Sequence, residues 1–296
     1  MATAQEATQG KSASGAPHLS QAHGIPFPKY FAALAATYNA QTGDTTRSLF
    51  AAALDDITAQ VPLTSTSRVH DNAAGPGTAA SVLVDRLTPD SLPNILVTDR
   101  VAAMVSAARE SFAHVPSVTA AEMDSLALSG VVDSSVTHSI LNFSIFAISD
   151  PLRCVREVRR TLAGGGGGVA ALLTWRRFGA GEIVRAAQAL VRPDLPPMAY
   201  PHPEFWQPGV LAALAVEAGF DEANVTVLEK SVVVGPGPQL DGLRGFWASD
   251  FVKPARVGWT DEEVARWPAA VEQAVQAEID ARGGVLFQAY VVLART

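Results

Sequence analysis

The stretch 69-VHDNAAGPGTAASVL-83 decides how this chain folds. Val69 and His70 belong to an apolar strand, Asp71 and Asn72 end it, and small residues carry the backbone round to a helical run that opens at Thr78. A turn that brings backbone against a ligand, or takes a positive φ, needs residues without a clashing Cβ. Gly75 and Gly77 supply that, and Ala73 and Ala74 are the next smallest choice. The helix start at Thr78 offers free N–H groups and a positive dipole end to an anionic group. Such a strand–turn–helix unit holds a small molecule, and its flanks say which kind.

Outward from that turn, short apolar runs alternate with helical ones. "NILVTD" (94–99) is a strand, and "RVAAMVSAARESFA" (100–113) is a helix with apolar residues at three- and four-residue spacing. "SVTAAEMD" (117–124) and "VTHSILNF" (136–143) are strands and their exits. "DPLRCVREVRRTLA" (150–163) is an amphipathic helix with Pro151 in its first turn, ended by the glycine run 164–168. "VAALLTW" (169–175) is a buried strand, "GVLAALAVEAGF" (209–220) a helix closed by Gly219, and "NVTVLEKSVVV" (224–234) a strand. The stretch 261–284 is mostly helix, and "VLFQAYVVLART" (285–296) is the final strand after a long excursion. This alternation predicts an α/β fold, doubly wound around a mostly parallel sheet covered on both faces. Upstream, residues 27–61 carry two helical patterns around "TGD", with Asp44 and Thr45 as caps of the second. We read a loose tail over 1–24 and one domain over 25–296 that carries an N-terminal helical addition, a lid over about 25–60.

Composition sets the outer limits. With a formal net charge of −7 and four lysines in 296 residues, no basic face is expected for a nucleic-acid backbone. No apolar run reaches the roughly eighteen residues of a membrane helix. The tail lacks the basic-then-apolar pattern of a secretory signal, which points to a cytoplasmic protein. Cys154, the single cysteine, excludes an internal disulfide and a thiolate metal cluster, and reads as a small buried hydrophobe.

In doubly wound folds ligands sit at the carboxyl ends of the strands, so the acids at those ends matter. Asp71 stands at the mouth of the turn, where it would repel a pyrophosphate but suit an ammonium group. Asp99 ends the next strand, where a carboxylate accepts both hydroxyls of a ribose, although it is equally placed as a helix N-cap. Asp124 ends the third and can accept from an adenine amino group. S-adenosylmethionine (SAM) carries all three groups in that order. NAD shares the ribose, and Gly75-x-Gly77-x-x-Ala80 also matches a dinucleotide turn, so an NAD(P)-binding oxidoreductase is the rival reading. The acid at the turn mouth and the absence of a Tyr-x-x-x-Lys pair count against it.

These residues carry a resemblance. "VHDNAAGPGT", "ILVTDRVAAMVSAARE", "EMDSL", "LNFSIFAISDPLRCVREVRRTLAGGGG" and "FWQPGVLAALAVEAGF" together resemble class I SAM-dependent methyltransferases of the kind fungi use in small-molecule and secondary metabolism. The likeness runs over roughly residues 30 to 296. It implies a seven-stranded Rossmann-like sheet whose last strand is antiparallel, and transfer of a methyl group from SAM to an oxygen, nitrogen or sulfur of a small, largely apolar metabolite. It implies that Asp71, Ala73, Gly75, Gly77, Thr78, Asn142 and Phe143 hold the methionine end. Asp99 would hold the ribose, and Met123, Asp124 and Ser125 the adenine, with Arg100 and Met104 as further cofactor contacts and Tyr38 in the lid. Ala73 departs from the family, which has glycine there, and fits if its φ is negative. A methyltransferase-fold protein without transfer activity, a cyclase or a binding module, is a further alternative.

Of the six histidines, His202 is placed best for a general base, in the Pro- and aromatic-rich "LPPMAYPHPEFW" after the fifth strand. His138 reads as a satisfied core histidine. Phe146, Tyr200, Phe205 and Trp206 are the expected acceptor walls; Phe246 and Trp247 either join them or cap the core. A small-molecule substrate is the expected partner, with no nucleic acid or membrane, and the chain a monomer or homodimer.

Overall fold

The computed structural model describes residues 27–35, 37–200 and 202–296, so the tail expected over 1–24 lies outside the described residues. Two helices come first, α1 (Phe27–Leu34) and α2 (Asp44–Gln60), joined through a π-helical turn at Asn39–Gly43. There follow β1 (Arg68–Asn72), α3 (Thr78–Arg86), β2 (Asn94–Asp99), α4 (Ala102–Ser111) and β3 (Val118–Glu122). Next come β4 (His138–Asn142), α5 (Pro151–Thr161), β5 (Val169–Arg177), α6 (Gly179–Val191), α7 (Val210–Glu217) and β6 (Val225–Val234). The chain closes with α8 (Pro238–Ala248), α9 (Asp261–Ala265), α10 (Trp267–Arg282) and β7 (Val285–Arg295).

The seven strands form one sheet in the order β3-β2-β1-β4-β5-β7-β6, parallel except for β7, which runs antiparallel to both β5 and β6. This is the doubly wound, Rossmann-like sheet expected, with its antiparallel last strand. Register aligns the carboxyl ends of the inner strands. Asn72 faces Thr98 across β1–β2, and Asp71 faces Ile140 across β1–β4, so the ends of β1, β2 and β4 lie side by side.

Side chains alternate across a strand, and here the alternation sorts them into two cores. Val169, Ala171 and Leu173 of β5 join Val291 and Leu293 of β7 on one face, against α2, α3, α6, α8 and α10. Ala170 and Leu172 join Leu141, Val292 and Ala294 on the other, against α5 and α7. Each large aliphatic so buried stabilises the fold by about 1.5–3 kcal/mol relative to exposure.

Local chemistry sets the helix ends. The Asp150 carboxylate caps α5 by accepting the Arg153 N–H at 3.0 Å, with Pro151 in the first turn. Gly219, with φ +104°, terminates α7. The helix expected across 261–284 is split in two: Pro268 has no N–H to donate, so it sits in the first turn of a new helix, α10.

The N-terminal segment is clamped over the sheet edge by close packing on α8. A Cβ at Gly242 would stand 2.1 Å from the Ala40 carbonyl oxygen, so only glycine lets the π-turn approach. Among the described residues no helix is long and apolar enough to cross a membrane.

Candidate functional site

A cavity of about 270 Å³ opens at the carboxyl ends of β1, β2 and β4. Its floor is the turn after β1, through Ala73, Ala74, Gly75 and Thr78. One side is the exit of β2, with Asp99, Arg100, Val101 and Met104, continued by Asp124, Ser125 and Leu126 after β3. The exit of β4, from Asn142 through Phe143 and Phe146 to Ser149, makes the other side. Phe31 and Tyr38 from the N-terminal segment, with Thr46 of α2, close it from above.

Asp99 is the hinge of this arrangement. Its Oδ2 accepts the Gly75 N–H at 2.9 Å and its Oδ1 accepts the Val101 N–H at 2.8 Å. The first bond pins the turn to β2, and the second is the N-cap-like use expected as an alternative. Each oxygen keeps a further lone pair for a ligand hydroxyl. Burial raises the Asp99 pKa, while the two N–H groups and Arg100 pull it down.

The turn is wound left-handed at three points: Ala73 at φ +48°, Gly75 at +57° and Gly77 at +86°. The negative φ on which alanine was expected to fit at 73 is therefore not the one it adopts. A left-handed alanine is strained by roughly 1–2 kcal/mol. Phe143, at φ +54°, is strained in the same sense at the end of β4, its N–H donating to the Leu173 carbonyl at 3.1 Å. Two non-glycine residues in this region line one cavity, which makes it the candidate functional site.

Four side-chain atoms in the cavity wall are buried without a hydrogen-bond partner: Asn142 Oδ1 and Nδ2, Thr78 Oγ1 and Ser144 Oγ. Such groups are normally satisfied, so a polar ligand here would remove a standing penalty. Ser125 donates from Oγ to Asn72 Oδ1 at 2.8 Å, which ties the exit of β3 to the end of β1.

Beyond this cavity lies a second chamber of about 70 Å³, walled mainly by aromatic rings. Phe31, Tyr38, Thr46, Phe143 and Phe146 belong to both spaces. Leu34, Thr42, Trp175, Phe178, Tyr200, Trp206, Phe246 and Phe251 complete it. Phe143 packs on Trp175 with ring centroids 4.1 Å apart, and Phe178 meets Tyr200 and Phe246 edge-on at 5.8 Å each. Burial raises the Tyr38 pKa, and its phenol stays protonated.

Of the residues singled out from sequence, Tyr38, Ala73, Gly75, Thr78, Asp99, Arg100, Met104, Asp124, Ser125, Asn142, Phe143 and Phe146 line the first cavity, and Tyr200 and Trp206 line the chamber. Five do not reach either. Asp71 is fully buried beneath the turn, where its Oδ2 accepts the Ala80 N–H at 2.9 Å; the acid anchors α3 rather than facing the cavity. Gly77 is spaced from the cavity because it packs on Phe112, whose Cε2 would lie 2.5 Å from an added Cβ. Met123 turns into the core beside α5. Phe205 is buried in that same core. His202 lies outside both spaces, left-handed at φ +42°, with Nδ1 2.8 Å from the Glu204 carboxylate. Trp247 caps the core, its indole N–H donating to the Ala180 carbonyl at 3.0 Å, whereas Phe246 joins the chamber. His138 is the core histidine expected, bonded to the Val61 carbonyl and to Thr137.

Phe31, Thr46, Val101, Leu126, Ser144, Trp175, Phe178 and Phe251 also line these spaces without having been singled out. Only the strand-end positions of Val101 and Ser144 carried a usable signal.

Residues 70–170 match the family described as "Methyltransferase domain". A fungal protein, methyltransferase ucsB of an Acremonium species, is 29% identical over 153 residues, 48% of this chain and 51% of that protein. The chain thus spans about half the length of the curated relative it matches. Among solved structures, MccD protein superposes with a TM-score of 0.50 at 12% identity, over 82% of this chain and 96% of that one. A putative methyltransferase from Bacillus halodurans gives 0.47 at 14% identity, over 82% and 98%. The family match begins on β1 and ends on β5, and so takes in the strands whose carboxyl ends wall the cavity. Over those strands the chain is similar to methyltransferase domains.

Proposed function

We propose that the protein transfers a methyl group from SAM to an atom of a small, largely apolar metabolite. The observation that carries this reading is the junction of two unlike spaces. A cavity with unpartnered polar atoms in its wall opens, through Phe143, Phe146 and Tyr38, onto a chamber of aromatic rings. A polar nucleoside and an apolar acceptor would meet at that seam.

The residues present fit SAM. The 73–78 turn and the orphaned amide of Asn142 would hold the amino-acid end, the spare lone pairs of Asp99 the ribose, and the Ser125 and Leu126 region with Val101 the adenine. When bound, SAM supplies an electrophilic methyl on a sulfonium. The chain's own contribution is alignment and exclusion of water. Phe31 and Tyr38 close the cavity from above, and Phe143 fixes the boundary at which the two reactants touch. Holding reactants in line and dry accounts for most of the acceleration available to an in-line displacement.

Calorimetry with S-adenosylhomocysteine (SAH) tests the first half, with micromolar binding expected. Incubation with labelled SAM and a metabolite extract, followed by mass spectrometry, tests the second. An absence of binding heat at millimolar SAH would refute the reading.

A further inference from the structure

We propose that Phe178 sets the size limit of the aromatic chamber, so that only a compact group of a few heavy atoms, smaller than a benzene ring, enters it from the acceptor. The inference rests on the methyltransferase reading above and narrows which acceptors that site takes.

Three observations carry it. First, the chamber is small. A buried apolar space of roughly 150 Å³ admits one benzene, and this one holds about 70 Å³. Ten of its thirteen lining residues are aromatic in a chain that is 7% aromatic, so the wall is made of wide, stiff rings rather than flexible chains. Leu34, Thr42 and Thr46 complete it, and the Thr42 hydroxyl already donates to the Tyr38 carbonyl at 3.1 Å.

Second, Phe178 is the ring on which the others converge. Its centroid lies 5.0 Å from that of Trp175, 5.8 Å from those of Tyr200 and Phe246, and 6.3 Å from those of Trp206 and Phe287. Trp175, Tyr200, Phe246 and Phe287 are themselves buried. A guest larger than the space must displace several packed rings at once, which a close-packed interior resists.

Third, the local sequence gives up helix stability to seat this ring. α6 opens directly after Phe178 with glycine at 179 and 181, and glycine is a weak helix former. Neither glycine has a positive φ, so the reason is space. A Cβ on Gly179 would stand 2.4 Å from the Leu286 carbonyl oxygen, and one on Gly181 would stand 2.7 Å from Phe178 Cδ1 and 2.8 Å from Tyr200 Cζ. The first glycine lets α6 start hard against β7, and the second leaves room for the two rings. A large acceptor can therefore place only a small reacting end in the chamber.

The test uses the SAH-saturated protein and two apolar probes, xenon and benzene, with binding followed by NMR titration. SAH fills the first cavity, so the probes report on the chamber. Wild type is expected to take up xenon. Phe178→Ala, which adds the volume of a ring to the chamber, should bind benzene at least about tenfold more tightly than wild type does. Phe287→Leu is the control, because Phe287 meets Phe178 without lining the chamber; it should gain no benzene affinity. SAH affinity should stay within about twofold of wild type in both variants, since neither residue lines the first cavity. Benzene binding to wild type as tight as to Phe178→Ala overturns the inference. So does an equal gain in Phe287→Leu, or a wild type that takes up no xenon. If Phe178→Ala does not fold, Phe178→Leu replaces it with a smaller gain expected, and exclusion of benzene from the wild type still decides. Failure of SAH to bind the wild type sinks the underlying methyltransferase reading. SAH binding with free entry of benzene sinks only the narrower one.

Discussion

Asp99 and Gly75, twenty-four residues apart, are joined by a 2.9 Å hydrogen bond from the glycine N–H to the carboxylate. The bond fixes the floor of the cavity to its side wall. Asp99→Ala removes it together with the Val101 bond, each charge-assisted and worth about 1.5–3 kcal/mol, as well as any ribose contact. Calorimetry should show SAH affinity reduced at least about tenfold and unfolding at lower denaturant. Unchanged affinity would mean that Asp99 serves the fold alone.

Ala73 is held at φ +48°. Glycine tolerates that conformation without the steric cost, so Ala73→Gly should stabilise the protein by about 1 kcal/mol, net of the extra chain entropy glycine loses. Thermal unfolding should move up by roughly 2–4 °C. A fall in the melting temperature would show that the Ala73 methyl packs usefully against its neighbours.

Gly77 gives the opposite result. Its φ of +86° and the 2.5 Å approach of Phe112 both exclude a side chain. Gly77→Ala should destabilise by about 2 kcal/mol or more, from strain plus overpacking. Adding Phe112→Leu should recover part of that loss in urea titrations, because it relieves the clash and leaves the strain.

The Asp71 carboxyl is pushed up to about 7, chiefly by burial and also by the nearby Asp99 charge. The folded state therefore binds this proton more tightly than the unfolded chain. The stabilisation is complete below the ordinary carboxylate range, near pH 4, and is lost as pH rises through about 7. Asp71→Asn keeps an oxygen for the Ala80 N–H and cannot ionise. Its stability relative to wild type should improve between about pH 4.5 and pH 8, by on the order of a few kcal/mol. A stability difference that is flat across that range would show that Asp71 does not titrate there.

His202 lies outside both spaces, beside Glu204. His202→Ala should leave the affinity for SAH within about twofold of wild type, as substitutions away from a site do. A larger loss would return His202 to the site.

The sheet, its order of helices and the strand-end acids Asp99 and Asp124 were legible because periods of two and of about 3.6 leave a direct trace in the sequence. What the trace does not carry is which way a strand-end side chain turns. Asp71 and Asp99 both end strands beside the same turn, yet one anchors α3 and the other lines the cavity. The chamber was less legible still. Trp175 read as part of a buried strand, and it is, but its ring also meets Phe143 and Phe178 at the sheet's edge. Phe31 comes to the cavity from the N-terminal segment, whose Ala40 carbonyl packs closely on Gly242 of α8, stretches far apart in the chain. His202 and Phe205 were placed by composition of their loop, whereas Phe205 is buried in the core beside α5 and His202 lines neither space.

The chamber draws its rings from separate stretches of chain, before β1, after β4, along β5 and in the two excursions beyond it, while the 73–78 turn comes from one. Substitutions at residues that line the chamber alone, such as Trp175, Phe178 or Phe246, can therefore reshape it without touching the first cavity. Phe31, Tyr38, Thr46, Phe143 and Phe146 line both, so a change at any of them reshapes the two compartments together.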